Sequence, residues 1–266
     1  MTIKEFRVGL ILDTQIISYA AKGKLGEPLP SRFSITSTVA QEFLRVRNLL
    51  TGDARYFTPP PQGMSPVAQV SYRAGRSIHR GGRPGDRPLF KRATDKVVMD
   101  FNNEYPSVVE YGHAGISHLI NTANRGIYAE SVAHLGKRER KKLVEGFDFL
   151  VGHGVECVPV DSNSVHIAFG LLKEAERKGV NIKSDFRNSL NDMLILATAR
   201  ASGGHLWTMD GLLARLAKEC GVGEMASRGD YHELSFPQGH EREWCGSRES
   251  KGYRNTGWRF VIQQAS

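Results

Sequence analysis

The chain has 266 residues, of which 40% are hydrophobic and 24% charged, with 36 Lys and Arg against 28 Asp and Glu for a formal net charge of +8. That profile gives ample length for a buried core and excludes collagen-like and intrinsically disordered classes, and no apolar run approaches the ~18 residues of a membrane span. Met1 to Arg7 lacks the order of a secretory signal, and Cys157, Cys220 and Cys245 are too scattered for a zinc site or a disulfide framework, so a cytoplasmic protein with reduced thiols is expected.

In chain order, Val8 to Leu12 is a short continuous apolar run that predicts a strand buried on both faces, ending at Asp13-Thr14. Ile16, Ile17 and Ala20 then recur at helical spacing up to Gly23. Thr38 with Gln41 three residues on has the form of a capping box, predicting a helix that carries Glu42 in its first turns and continues through Phe43, Leu44, Val46 and Leu50. From 51 to 92 the periodicity gives way to Pro and Gly, among them Pro59-Pro60-Pro61 and Gly81-Gly82.

The charge is concentrated from that point on. Residues 51–145 hold 15 basic and 9 acidic side chains, a surplus of six, whereas the rest of the chain holds 21 and 19. Arg73, Arg76, Arg80, Arg83, Arg87, Lys91 and Arg92 supply much of it, with Tyr56, Phe57, Tyr72 and Phe90 interleaved. Cations of this kind hold phosphates without reading sequence, and aromatic rings stack on unpaired bases, so this insertion is expected to grip RNA; a docking face for a protein partner is the alternative.

Helical spacing returns over Ile116, Leu119, Ile120, Ala123 and Ile127, and again over Leu143 to Val151 after the charge run Lys137 to Lys142. Strand and helix then alternate. A strand is predicted over Val155 to Val160, and a helix capped by Asp161 or Ser162, with the stripe Val165, Ala168, Phe169 and Leu172, ends at Gly179. A helix over Ser189 to Ser202 places Asp192 near its start. A strand over His205 to Thr208 leads to Asp210, and a helix through Leu212, Leu213, Leu216 and Cys220 follows. Strand followed by helix implies a parallel sheet. Beyond Gly223 the composition is polar and Gly-rich and sets no element.

In such a sheet, ligands bind outside the carboxyl ends of the strands, where Asp13 and Asp210 fall, and Glu42 and Asp192 are expected on the same rim. Each acid also has a plain reading as a helix cap or a helix-dipole partner. Four carboxylates together cannot all stay ionised without counter-charge, and Mg²⁺ or Mn²⁺, one ion or two, would supply it and activate a water for phosphodiester hydrolysis. The nine histidines show no zinc-hydrolase pairing, no phosphate-cradling glycine motif is present, and Asp13-Thr14-Gln15 lacks the second aspartate of haloacid-dehalogenase-like phosphatases.

Leu10-Ile11-Leu12-Asp13-Thr14, Ile35-Thr36-Ser37-Thr38-Val39-Ala40-Gln41-Glu42-Phe43-Leu44, Asn191-Asp192-Met193-Leu194-Ile195-Leu196-Ala197-Thr198-Ala199 and Leu206-Trp207-Thr208-Met209-Asp210 resemble, in order, the motifs of the PIN domain nuclease family of VapC-like ribonucleases. The resemblance covers a little under half of the chain. It implies a three-layer α/β/α fold with a parallel sheet, built from 1–50 and 146–221, with the basic, partly helical insertion 51–145 and an extension 222–266 left unexplained. It also implies that Asp13, Glu42, Asp192 and Asp210 bind Mg²⁺ or Mn²⁺, that Thr14, Asn191 and Thr208 orient them, and that the activity is endoribonucleolytic. Relatives of this kind act as toxins paired with antitoxins, and a phage-defence role with a protein partner, or a homodimer, is also consistent with it. Many relatives carry a further acid where this chain has Leu212, which keeps two other readings open: an inactive RNA-binding or assembly module, and a structure-specific DNA nuclease.

Overall fold

Leu10–Leu12 forms the first strand, β1, inside a six-stranded sheet. Ile11 and Leu12 are neighbours and so project to opposite faces, yet both are fully buried, so each face of the sheet is covered by other elements. The computed structural model describes residues 9–47, 54–55, 96–101, 108–133, 135–179, 186–219, 224–228, 231–236 and 259–263. After β1 come α1 (Thr14–Ala21), β2 (Ser34–Thr36), α2 (Ser37–Phe43), the short β3 (Val46–Arg47) and β4 (Ala54–Arg55), β5 (Lys96–Asp100), β6 (Val108–Tyr111), α3 (His113–Asn121), α4 (Arg125–Ser131) and α5 (Lys137–Gly152). Then follow β7 (Glu156–Val158), α6 (Ser162–Arg177), α7 (Phe186–Ala201), β8 (His205–Thr208), α8 (Gly211–Glu219), β9 (Glu224–Arg228), β10 (Tyr231–Ser235) and β11 (Arg259–Gln263). The molecule is thus α/β.

The large sheet has the order β7-β2-β1-β8-β10-β9. Its first four strands are parallel, with Ile11 registered to Ser34 on one side and to Leu206 on the other, and Ile35 to Cys157. The wholly parallel sheet expected from the sequence is corrected here: β10 and β9 run antiparallel to their neighbours, so the sheet is mixed. The reason is the connection. Only residues 229 and 230 separate β9 from β10, a hairpin link far too short for the crossover that parallel strands require. A second, antiparallel sheet of order β11-β5-β6 pairs residues 259–263 with 96–100, so the last strand closes on the region between α2 and α3.

Several helix limits depart from the periodic pattern, each for a local reason. The cap of α2 is Thr36, not Thr38: its hydroxyl accepts the Val39 N–H at 3.2 Å, and Thr38 is buried within the first turn. That helix stops at Phe43, and Val46 enters the β3–β4 pairing instead of extending it. The stretch from Ile116 to Ile127 is two helices, broken where Ala123 adopts φ 51° and the Asn124 side chain caps α4 by accepting the Ile127 N–H. The charge run 137–142 is the opening of α5 itself, whose Leu143, Phe147 and Leu150 are buried. Asp161 caps α6 through the Ser164 N–H at 2.7 Å.

Helix α7 is buried almost all round, with Ile195, Leu196 and Thr198 enclosed as well as the expected stripe of Leu190, Met193, Leu194 and Ala197. A helix without a solvent face sits inside its domain. Asn121 of α3 blunts the outer edge of β7 by donating to Cys157 O at 3.0 Å and accepting from Cys157 N–H at 2.7 Å. Cys157 is a core residue, and burial pushes its thiol up to about 12. Among the described residues no helix is long and apolar enough to cross a membrane.

Candidate active site

The carboxylate of Asp13, one residue past β1, has a donor on each oxygen. Oδ1 accepts the Thr14 N–H at 2.6 Å and so caps α1, while Oδ2 accepts the hydroxyl of Thr208 at 2.6 Å. Thr208 ends β8, and the register that sets Leu12 beside Trp207 brings it level with Asp13. The same hydroxyl oxygen accepts the Asp210 N–H at 2.9 Å. Asp210 in turn caps α8, its Oδ1 accepting from Leu212 N–H at 2.8 Å and Leu213 N–H at 3.1 Å.

On the other side, the Thr14 hydroxyl donates to Glu42 Oε2 at 2.6 Å and the Asn191 amide to Glu42 Oε1 at 2.8 Å. Asp210, Thr208, Asp13, Thr14, Glu42 and Asn191 therefore form one continuous hydrogen-bonded chain drawn from four separate parts of the sequence. Glu42 lies at the far end of α2 instead of its first turns, because the helix begins at Ser37 and ends at Phe43. Asp192, half-buried, lies in the second turn of α7 because that helix starts at Phe186, three residues earlier than expected; it follows the Asn191 that reaches Glu42. The capping roles of Asp13 and Asp210 coexist with their convergence.

Burial pushes the Asp13 carboxyl up to about 6, opposed by the bonds from Thr208 and Thr14 and reinforced by the nearby negative charges of Glu42 and Asp210. Only 6% of Asp13 is exposed, so this is an acid held in a protein interior beside two like charges. Among the described residues no three His, Cys, Asp or Glu side chains close on one point as a ready metal cage. The donors are nonetheless all oxygen, and Mg²⁺ is commonly bound through only one or two carboxylates with water completing its shell. Asp13 with Glu42 or with Asp210 fits that demand.

Two groups near the site gave no signal in the sequence. His232 stands opposite Thr208 in the antiparallel β10–β8 pair, so its ring lies on the Thr208 side of the sheet. Its Nδ1 is 3.1 Å from Ser227 Oγ, and Nε2 is 3.8 Å from where a Cβ would stand on Gly211, the residue after Asp210. Only the pairing of a tail strand brings it there. The second group is a buried polar network in which Glu110 is joined to His113 Nε2 and to Arg187 Nη2 at 3.0 Å, while His113 Nδ1 is 2.8 Å from Ser37 Oγ. It ties β6 and α3 to the first residue of α2 and to the first turn of α7, the two helices that carry Glu42 and Asp192. Burial raises the Glu110 carboxyl, but His113 and Arg187 outweigh it and hold the group below its ordinary value.

Arg73, Arg76, Arg80, Arg83, Arg87, Lys91 and Arg92 lie outside the described residues, as do the aromatic residues interleaved with them. Compared with protein-family models, with curated proteins and with solved structures, the chain matches none.

Proposed function

We propose that the protein is a Mg²⁺- or Mn²⁺-dependent endoribonuclease with a three-layer, PIN-like α/β/α core. The observation that carries the reading is the hydrogen-bonded chain from Asp210 to Asn191, which holds three carboxylates at the carboxyl end of parallel strands with hydroxyl and amide donors between them. A capping role alone explains one oxygen of Asp13 and one of Asp210; it does not explain why Thr14 and Asn191 both reach for Glu42.

A divalent ion held by these carboxylates would lower the pKa of a bound water and offset charge building on the phosphate. Thr208 and Thr14 fix the directions in which the carboxylate lone pairs point, and Asn191 does the same for Glu42. Asp13 must be ionised to take part, and a nearby cation favours that form. Arg73 to Arg92 would hold the RNA backbone. RNA is the substrate in this reading, the setting is cytoplasmic, an antitoxin or a defence-complex protein is the partner class, and a homodimer is open to test.

The test is digestion of RNA and DNA oligonucleotides in parallel with Mn²⁺ or Mg²⁺. RNA cleavage that stops with EDTA and in Asp13→Asn and Asp192→Asn is the expected result; cleavage that survives both substitutions overturns the proposal, and preference for DNA transfers the chemistry to a DNA nuclease. The lack of a three-ligand cage among the described residues favours one second reading, an RNA-binding module without catalysis. Mn²⁺ titration calorimetry separates the two, since the module binds RNA and no metal.

A further inference from the structure

A cavity of about 420 Å³ lies beside the acid chain, lined by Tyr19 of α1, by the loop from Lys24 to Pro30, and by Trp207, Met209 and Tyr231. Its position follows from strand alternation. Thr208 of β8 faces Asp13, so Trp207 and Met209 face the other way, and Met209 immediately precedes Asp210. Ile16, three residues after Asp13 on α1, lines it as well. One strand end and one helix thus serve both the acids and the cavity.

Its walls suit a flat, aromatic ligand with a polar edge. Trp207 and Tyr231 are stacked, with ring centroids 4.6 Å apart and planes inclined by 25°. The Tyr231 hydroxyl donates to Glu27 Oε2 at 3.2 Å, which fixes the ring. Lys24, Glu27 and Pro28 are exposed, so the cavity is reachable from solvent, and the first two bring one cation and one carboxylate to its mouth.

We infer that this cavity takes one unpaired nucleobase of the RNA strand whose backbone passes the acid chain, and so sets which nucleotide stands next to the cut. The base stacks on the Trp207–Tyr231 pair and turns its polar edge toward Lys24 and Glu27 at the mouth. This inference rests on the nuclease reading. An aromatic ring of this kind contributes on the order of a tenfold change in affinity per stacked base.

The test uses the full chain in EDTA, so that binding is read without cleavage. Fluorescence titration compares a single-stranded oligoribonucleotide with the same strand made abasic at successive positions, using wild type, Tyr231→Ala, Trp207→Phe and the surface variant Lys24→Ala. The expected result is quenching of wild type that is lost in Trp207→Phe, with affinity falling about tenfold both in Tyr231→Ala and when one abasic position is introduced, and no further loss when the two are combined. Lys24→Ala, which leaves the core untouched, is expected to weaken binding of the intact strand more than of the abasic one. In Mn²⁺, Tyr231→Ala is expected to flatten the nucleotide preference beside the cut. Equal affinity for intact and abasic strands, or an unchanged preference in Tyr231→Ala with cleavage intact, overturns the cavity's role while leaving the nuclease reading standing. A wild-type protein that neither binds nor cuts RNA removes both.

Discussion

Asp13 and Glu110 are both carboxylates sealed inside the same molecule, and their surroundings drive them in opposite directions. Asp13 has hydroxyl and amide donors but two further carboxylates for company, and it is pushed up to about 6. Glu110 has an imidazole and a guanidinium, and it is held low. Equal burial therefore says little about a buried acid; the charge of its neighbours decides. Glu110 is neutralised from within the fold and acts as a fastener, whereas the charges beside Asp13 among the described residues are carboxylates.

The largest effect expected from breaking this contrast is at the fastener. Glu110→Ala takes the buried carboxylate out of its network with His113 and Arg187 and should cost about 3–5 kcal/mol in chemical denaturation. A loss under about 1 kcal/mol would show that Arg187 escapes to solvent and that the network contributes little. Asp13→Asn should do the reverse. It keeps the shape and removes a buried charge that costs on the order of 3 kcal/mol at pH 7. Its amide nitrogen, however, cannot accept one of the two bonds Asp13 receives, which costs back about 1–3 kcal/mol, so the metal-free protein should gain about 1 kcal/mol. RNA cleavage should fall by more than the roughly 10–100-fold that loss of an outer partner costs. A stability difference between Asp13→Asn and wild type that stays the same from about pH 4 to about pH 7 would mean that the charge is compensated and that the contrast with Glu110 is false.

The pH dependence sharpens the same point. Folding raises the Asp13 pKa from 3.8 to about 6, so the folded state binds the proton more tightly. Its ionisation cost is absent near pH 3.8, grows as pH rises and is fully present above about 6. The stability advantage of Asp13→Asn over wild type should grow across that window, as measured by urea denaturation at successive pH values. Glu110 behaves oppositely, its stabilisation being present above the ordinary glutamate range and lost as pH falls through its lowered folded value. Smaller effects follow at the donors. Thr208→Val should cost about 1 kcal/mol of stability and roughly 10–100-fold in cleavage rate. The least is expected of His232→Gln, with stability within about 0.5 kcal/mol of wild type.

What the sequence made legible was whatever depends on neighbours in the chain. The apolar run at Val8 to Leu12, the strand His205–Thr208 and the cap at Asp161 or Ser162 are local facts. The placement of Asp13 and Asp210 at strand ends followed from reading strand and helix in order. The hydrogen bonds that join Thr14, Glu42 and Asn191 could be expected only through a resemblance, because residues 28 and 149 positions apart meet through folding alone. Glu110, His113 and Arg187 carried no pattern at all, and His232 and Tyr231 reach the site only because a polar tail forms an antiparallel hairpin on β8. A helix buried all round, α7, reads from periodicity as merely amphipathic.

The pairing of β11 with β5 has a practical cost. A proteolytic nick or an early stop ahead of Arg259 would move the outer edge of that sheet from Arg259–Gln263 to Lys96–Asp100, whose Val97 and Met99 are buried in the intact fold, making an apolar rim of the kind on which extended segments of other molecules add. Shortened versions of this protein should therefore be prone to self-association and poorly soluble even where the chain of acids from Asp210 to Glu42 is intact.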